Sequence, residues 1–155
     1  MDGERRAGGG GKVEEAIKRY RCTAAAMDVA SKLLGALERL TRAEVYDRLS
    51  HTAILSGLRR DAEHELRLAK IVLKDARRSV EERVMGECAG MEVCAMNPLG
   101  DCACDLGVDF AKELREFIDR ALAEEVISRA RDYTEKALKM AVGALANCSC
   151  KFEVE

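Results

Sequence analysis

One apolar pattern constrains the fold of this chain more than any other feature. Apolar residues recur at alternating spacings of three and four, and positions spaced in this way lie on one face of an α-helix. Ala16, Ala30, Leu33 and Leu40 widen the resulting stripe. The pattern predicts an amphipathic helix over residues 12–40, with its stripe at Val13, Ile17, Tyr20, Ala24, Met27, Ser31, Leu34 and Leu37.

A second pattern follows after a helix-start signal. Thr41 and Glu44 have the spacing of a capping box, in which each side chain bonds the backbone of the other's turn, so a new helix is predicted near residue 42. Its stripe runs from Val45 to Val84 and crosses Gly57 without losing phase. The pattern allows either one helix over 42–85 or a break at Ser56–Gly57.

The third helical pattern covers residues 109–147. Asp109 can cap its start, and Asp132 with Glu135 resembles another capping box that permits a break there. If the segment folds back near Asp132, the C-terminal tail returns to its own cysteine-rich loop. The apolar stripe is Phe110, Leu114, Phe117, Ala121, Val126, Ala130, Tyr133, Ala137, Ala141 and Leu145.

Together these patterns predict an all-α fold, a bundle of three or four long amphipathic helices. We expect a flexible glycine-rich tail at 1–11, a bundle domain at 12–147 and a cysteine-containing tail at 148–155. Residues 86–107 are interrupted by glycines and one proline, which predicts an irregular connection between helices. A single proline and few β-branched runs argue against a β-sandwich.

Composition narrows the class of protein. A net charge of -2 argues against a globally basic nucleic-acid-binding protein. No apolar run is long enough to span a membrane, and residues 1–12 lack the apolar stretch of a secretory signal, so we expect a cytoplasmic protein. Glutamine is absent and arginine exceeds lysine, which is typical of a thermophile. Long stripes with few aromatic residues favour a homo-oligomer, most simply a dimer.

The seven cysteines are the strongest chemical signal. Cys22 stands alone in the first helix and is predicted to be a small buried apolar residue. The other six are candidates for structural disulfides, the simplest scheme joining Cys88 to Cys94 and the two C-x-C pairs to each other. These candidates are Cys88, Cys94, Cys102, Cys104, Cys148 and Cys150.

A thiolate metal site is the alternative use of the same cysteines. One loop supplies four sulfurs, enough for zinc or an iron–sulfur cluster, although the spacing is not that of a zinc knuckle. Three nearby methionines are soft donors, so Cu(I) is a further candidate metal. They are Met85, Met91 and Met96. Redox-active or free thiols are the third interpretation. Neither histidine lies in this loop, so a catalytic thiol with a lowered pKa is not supported. The candidate metal ligands are Cys88, Cys94, Cys102 and Cys104.

No catalytic residues are assigned. Asp61 and His64 have the carboxylate–histidine spacing of diiron bundles, but no second such motif exists. Arg59 and His64 have the Arg-x4-His spacing of HEPN ribonucleases, but Arg60 stands where those have a polar residue. A basic face of the 58–85 helix is a candidate nucleic-acid surface diluted by acidic residues. It consists of Arg60, Arg67, Lys70, Lys74, Arg77 and Arg78.

The sequence therefore favours a non-enzymatic helical scaffold or adaptor, oligomeric, from a thermophile and stapled by disulfides. A protein partner is plausible. A thiolate metal-binding protein and a nucleic-acid-binding subunit are the alternatives, and nucleic acid is the less favoured partner.

Overall fold

The structure is a computed structural model. It describes the backbone of residues 2–52, 57–89, 92–96 and 102–145. Side chains are described over 13–52, except Glu15 and Arg19, and over 57–89 and 110–143. The predictions for the 148–155 tail, including those for Cys148 and Cys150, lie outside this part of the chain.

The all-α prediction is confirmed. Helix α1 spans Asp2–Ser50 and α2 spans Leu58–Ser79. A π-helical turn at Val80–Val84 joins α2 to the short α3 at Met85–Glu87. The helical segment therefore continues to the residue before Cys88. After the cysteine-rich connection come α4 at Phe110–Ala123 and α5 at Ile127–Leu145.

The helices pack as a bundle around one main core. Helix α1 lies against α2 and α5, and α4 packs against α5 and α2. More than half of the buried apolar residues are alanines, so the helices can approach one another closely. The largest fully buried side chains include Phe110, Leu33, Leu40, Leu73, Leu114 and Ile118.

Helix α1 is longer than predicted at both ends. The predicted helix start at 41–44 is wrong, because the Thr41 hydroxyl instead donates to the carbonyl of Leu37 at 2.8 Å, inside a continuous helix. Glu44 is turned to tertiary ion pairs rather than to a cap. The predicted tail at 1–11 also differs, because α1 includes these residues from Asp2 onwards. Adding turns to an existing helix is easier than starting one, which offsets part of the cost of its glycines.

The remaining breaks are also located. The chain leaves α1 at Ser50 and starts α2 at Leu58, which selects the broken form over one helix through Gly57. The C-terminal segment breaks at 124–126 rather than at Asp132. There the Glu124 carboxylate accepts from the backbone N–H of Val126 at 3.2 Å. Thr134, inside the second candidate box, instead donates to the carbonyl of Ala130 within α5.

The connection expected to be irregular contains a small antiparallel ribbon. Strand β1 is Glu92–Met96 and β2 is Cys102–Asp109, with the pairing shifted by an irregularity between Glu92 and Cys94. Strand β1 contacts α5 and α4. Because α4 and α5 form a helical hairpin, the end of α5 returns towards this ribbon.

Candidate functional site: the outer face of α1

Helix α1 has two apolar faces. The inner face packs into the bundle and consists mainly of small residues: Cys22, Ala25, Ala26, Val29, Leu33, Ala36 and Leu40. The outer face follows the three-and-four pattern of the sequence and is left exposed. Its exposed members, all larger apolar residues, are Val13, Ile17, Tyr20, Met27 and Leu34, with Val45 and Leu49 continuing the stripe.

This arrangement corrects the predicted packing of α1. The stripe that the sequence indicated as its apolar face is the outer one, and Met27 is 58% exposed. The core instead uses residues on the opposite side, where alanines let α2 and α5 come close. Exposed apolar residues that follow one face of a helix, rather than being scattered singly, make this face the candidate interaction surface.

The N-terminal part of α1 extends beyond the packed core. From Val13 to Arg21 every side chain that the structure describes is exposed, whereas the inner face begins at Cys22. We call residues 13–21 the N-terminal arm. An isolated helix of this length is marginal in water, because helices are stabilised mainly by the packing of an apolar face. The arm therefore carries large apolar side chains that no element among the described residues covers.

A polar cluster holds the middle of α1 to α2. The Lys32 ammonium donates to the Ser79 hydroxyl at 2.6 Å and lies 3.4 Å from the Asp75 carboxylate. Burial disfavours the charge on Asp28, but hydrogen bonds from Ser79 and Lys32 and the positive charges of Lys32 and Arg83 outweigh it. These contacts hold the pKa of the Asp28 carboxyl below its usual value.

A second ion-pair cluster joins α1 to α5. The buried Glu44 carboxylate lies 2.6 Å from the Arg131 guanidinium and 2.7 Å from that of Arg48. Two cations therefore compensate one buried carboxylate, which is the condition under which such a charge is tolerated inside a protein. Together with the Lys32 cluster, these contacts fix which face of α1 points outwards.

A disulfide staples the base of the N-terminal arm. The sulfurs of Cys22 and Cys88 are 2.03 Å apart, their Cα atoms are 4.8 Å apart, and both residues are buried. Cys22 is therefore not the lone buried thiol that was predicted, and Cys88 pairs with it rather than with Cys94. The bond ties α1 to the end of α3, where the chain leaves for the ribbon.

The same bond changes the predicted metal-ligand set. While Cys88 is in the disulfide, its sulfur is not a thiolate ligand. The three other members of that set, Cys94, Cys102 and Cys104, lie in the ribbon, where Cys94 is directly opposite Cys104. Among the residues whose side chains are described, no three histidine, cysteine or acidic side chains cluster as a metal site.

The candidate catalytic pairs lie at the surface. Asp61, His64 and Arg59 are all exposed on α2, and His51 is exposed just after α1. An interior diiron site cannot be built from Asp61 and His64 in these positions, because the ligands of such sites project into the bundle core.

The candidate nucleic-acid surface is present as a partly neutralised outer face of α2. Arg60, Arg67, Lys74 and Arg78 are exposed and Lys70 is half-buried. Arg77 instead bridges to Asp119 of α4 at 3.0 Å and to Glu81 at 3.3 Å. One member of the predicted set is thus a structural residue of the α2–α4 contact.

Comparison with known proteins adds no relative. No protein-family model, curated protein or solved structure matches this chain. A search of the described helices finds none with the length and apolar character needed to cross a membrane.

Sequence reasoning missed the direction of the α1 stripes and the partner of Cys22. A signal for the first was present, because residues 22–40 carry a second stripe of small residues half a turn away from the larger one. No comparable signal existed for the disulfide, whose cysteines are separated by 66 residues.

Proposed function

We propose that this protein is a non-enzymatic helical scaffold that assembles as a dimer by pairing the outer faces of two α1 helices. The exposed apolar stripe of α1 is the single observation that carries the proposal. Covering it with a second copy buries side chains larger than most of those in the chain's own core. Apolar burial of this kind is the main driving force of association.

The spacing of the stripe favours another α1 as its cover. Val13, Tyr20, Met27 and Leu34 repeat every seven residues, and Ile17, Ala24 and Ser31 repeat in the same way between them. Helices with this repeat pack by inserting side chains into holes on a partner helix of the same repeat. A two-fold pairing of identical faces also gives a closed assembly of two copies.

An antiparallel register fits the sizes of these side chains. If Ala24 lies opposite Met27 of the second copy, Tyr20 lies opposite Ser31 and Ile17 opposite Leu34. Each of the two largest side chains then meets a small one. The N-terminal arm of each copy lies over the outer face of the other copy's bundle, and the opposed residues 17–34 span about 27 Å of helix.

Charge also favours this register. We call the two paired outer faces the seam. At the edge of the seam, the exposed Arg21 of one copy then lies beside the half-exposed Asp28 of the other, and symmetry repeats the contact. Shifting the antiparallel pairing by one heptad step instead places Arg21 beside Arg21. In a parallel pair, Arg21 and Asp28 face alanine and threonine, so neither gains a charged partner.

The remaining features are proposed with this function. The disulfide and the ion pairs stabilise a scaffold whose core is small, and the pairs linking Arg77, Arg115, Glu81 and Asp119 form a network. Such networks contribute most at high temperature, so we propose a thermophilic source. A cytoplasmic location and a further protein partner are proposed only from the composition.

Light scattering on purified protein tests the dimer. We expect the wild-type chain to have twice its mass of 17.1 kDa. Ile17→Glu/Met27→Glu places charges in the seam and should weaken association by at least about 30-fold. Ile71→Glu is the matched control, because Ile71 is 62% exposed but lies on α2. A monomeric wild-type protein, or equal loss of dimer in both variants, contradicts the proposal.

The register has its own test. Arg21→Asp places like charges beside Asp28 and should weaken the dimer by about tenfold. Arg42→Asp removes an exposed arginine of the same helix outside the paired segment and should leave association unchanged. Equal effects of the two variants contradict the antiparallel register while leaving the dimer itself standing.

A further inference from the structure

We propose that one face of the β1–β2 ribbon is a binding site for a soft monovalent metal ion, Cu(I), with Cys94, Cys102 and Cys104 as thiolate ligands and Met96 as a thioether ligand. This inference is independent of the dimer, because the ribbon lies outside the α1 seam. It also differs from the set expected from the sequence, since Cys88 is in the disulfide and Met96 takes its place.

The strand register carries the argument. Cys94 is paired with Cys104, and Met96 is paired with Cys102. Residues directly opposite in an antiparallel pair share a face, and so do residues two apart along one strand. The four sulfur-bearing residues therefore occupy the four corners of one patch on one face.

The other face of the same ribbon is the contrast. The pair between these two rows is Ala95 with Ala103, which belongs to the opposite face. Sulfur-bearing residues thus fill every position on one face of this four-corner segment, whereas the intervening positions hold only methyl side chains. A cross-strand disulfide between Cys94 and Cys104 would use only two of these four corners, and Met96 cannot take part in a disulfide at all.

The spacing of these positions suits a single metal ion. Cβ atoms of directly opposite residues are about 4.5–5.5 Å apart. Residues two apart along a strand are separated by about 6.6 Å. Sulfurs bound to one ion at about 2.3 Å lie about 4 Å from each other, so the backbone places the ligands within reach of one centre.

The donor chemistry selects the ion. Thiolate and thioether sulfurs are the ligands that soft cations prefer, and Cu(I) accepts both. Zinc sites in proteins use cysteine, histidine and carboxylate ligands, so a thioether corner favours copper over zinc. On binding, three S–H bonds are replaced by Cu–S bonds and three protons pass to solvent, with no change in the oxidation state of the metal.

A competition titration tests the site. The full chain is reduced under native, anaerobic conditions and freed of reductant, and thiol counting checks that the buried Cys22–Cys88 bond is retained. It is then titrated with Cu(I) against a chromophoric Cu(I) chelator. We expect one Cu(I) per chain, with an ultraviolet thiolate-to-metal absorption band. Cys94→Ser/Cys102→Ser/Cys104→Ser should lower the affinity by more than about 100-fold, beyond the effect of losing an outer-shell partner. Met96→Leu should lower it less.

Matched cysteine variants make the result decisive. Cys148→Ser/Cys150→Ser removes the other C-x-C pair and should retain the tight site. The far-ultraviolet circular dichroism spectrum of each variant is recorded to check that its helices are folded. A reduced wild-type chain that binds no Cu(I) contradicts the proposal. So does a ribbon triple variant that binds as tightly as wild type, or a Cys148→Ser/Cys150→Ser variant that loses the site.

Discussion

The inner and outer faces of α1 show two different uses of apolar residues on one helix. The inner face is built mostly of small residues, which let neighbouring helices approach and bury little area per residue. The outer face carries Ile, Met, Leu, Val and Tyr at a seven-residue repeat and is exposed in the single chain. The strongest apolar pattern of this helix therefore does not form its own core, and we propose that it specifies a partner instead.

The disulfide on the inner face gives the largest expected effect on stability. Cys22→Ala/Cys88→Ala opens a closure of 66 residues. We expect it to lower the free energy of unfolding by about 4 kcal/mol, mainly by releasing the unfolded chain. Denaturant unfolding should be followed in the Ile17→Glu/Met27→Glu background, where association does not contribute. Cys104→Ser lies outside the closure and serves as control. An unchanged unfolding free energy contradicts the role given to this bond.

Two adjacent leucines sharpen the comparison. Leu33 is fully buried on the inner face, whereas Leu34 is 49% exposed on the outer face. Leu33→Ala should cost about 2–5 kcal/mol in the same background, because it leaves a cavity in the core. Leu34→Ala should change monomer stability by less than about 0.5 kcal/mol and instead weaken the dimer. Similar costs for the two substitutions would erase the distinction between the faces.

The buried acid at the end of the inner face gives a smaller effect. Glu44→Gln removes the charge that pairs with Arg131 and Arg48 and should cost about 1–3 kcal/mol. Glu38→Gln is the control, because Glu38 is exposed on the same helix and should be near neutral. Chemical denaturation of the two variants side by side measures the difference, which the account requires to be positive.

Acid titration should give the smallest effect. The Asp28 carboxyl has a lowered pKa in the folded protein, so its contribution is present above the unfolded value of about 3.9 and is lost as pH falls through the folded value. Asp28→Asn should therefore flatten the stability loss below about pH 4. Asp61→Asn, at an exposed position of α2, should leave that loss unchanged. A wild-type acid profile in Asp28→Asn contradicts this assignment.

Much of the helical framework could be predicted from the sequence. The pattern predicts the buried stripe that runs through α2 and the following turn, from Ala62 to Val84, and that of α4, with Phe110 and Leu114, because each segment has a single apolar face. The broken form at Gly57 was one of two stated alternatives. These elements have one face to bury, so periodicity alone identifies it.

The errors share a physical cause. The sequence pattern predicts Thr41 as the cap of a new helix, yet its hydroxyl donates to the carbonyl of Leu37, four residues earlier inside a continuous helix. A threonine can make either bond, and tertiary packing decides which one forms. The actual break near Glu124 has no preferred capping residue, so pattern reading could not find it.

The candidate site was only half visible in the sequence. The sequence predicts the three-and-four stripe correctly, but it predicts that this stripe packs inside the bundle. The oligomer expected from the same pattern stays a prediction. The sizes of the side chains explain this error. Larger apolar residues dominate a hydrophobic pattern in the sequence, whereas the core of this bundle is built mostly of small ones. The pairing of Cys22 with Cys88 depends on how α1 lies beside α2, and local spacing carries no record of that.

Sedimentation equilibrium in the presence of reductant tests the central claim most directly, because it excludes dimers made by intermolecular disulfides. We expect a reversible monomer–dimer equilibrium for the wild-type chain, strongly weakened in Ile17→Glu/Met27→Glu and retained in Ile71→Glu. A wild-type chain that sediments as a monomer at every concentration up to about 100 μM, where the pairing free energy would be weaker than about 5.5 kcal/mol, would contradict it.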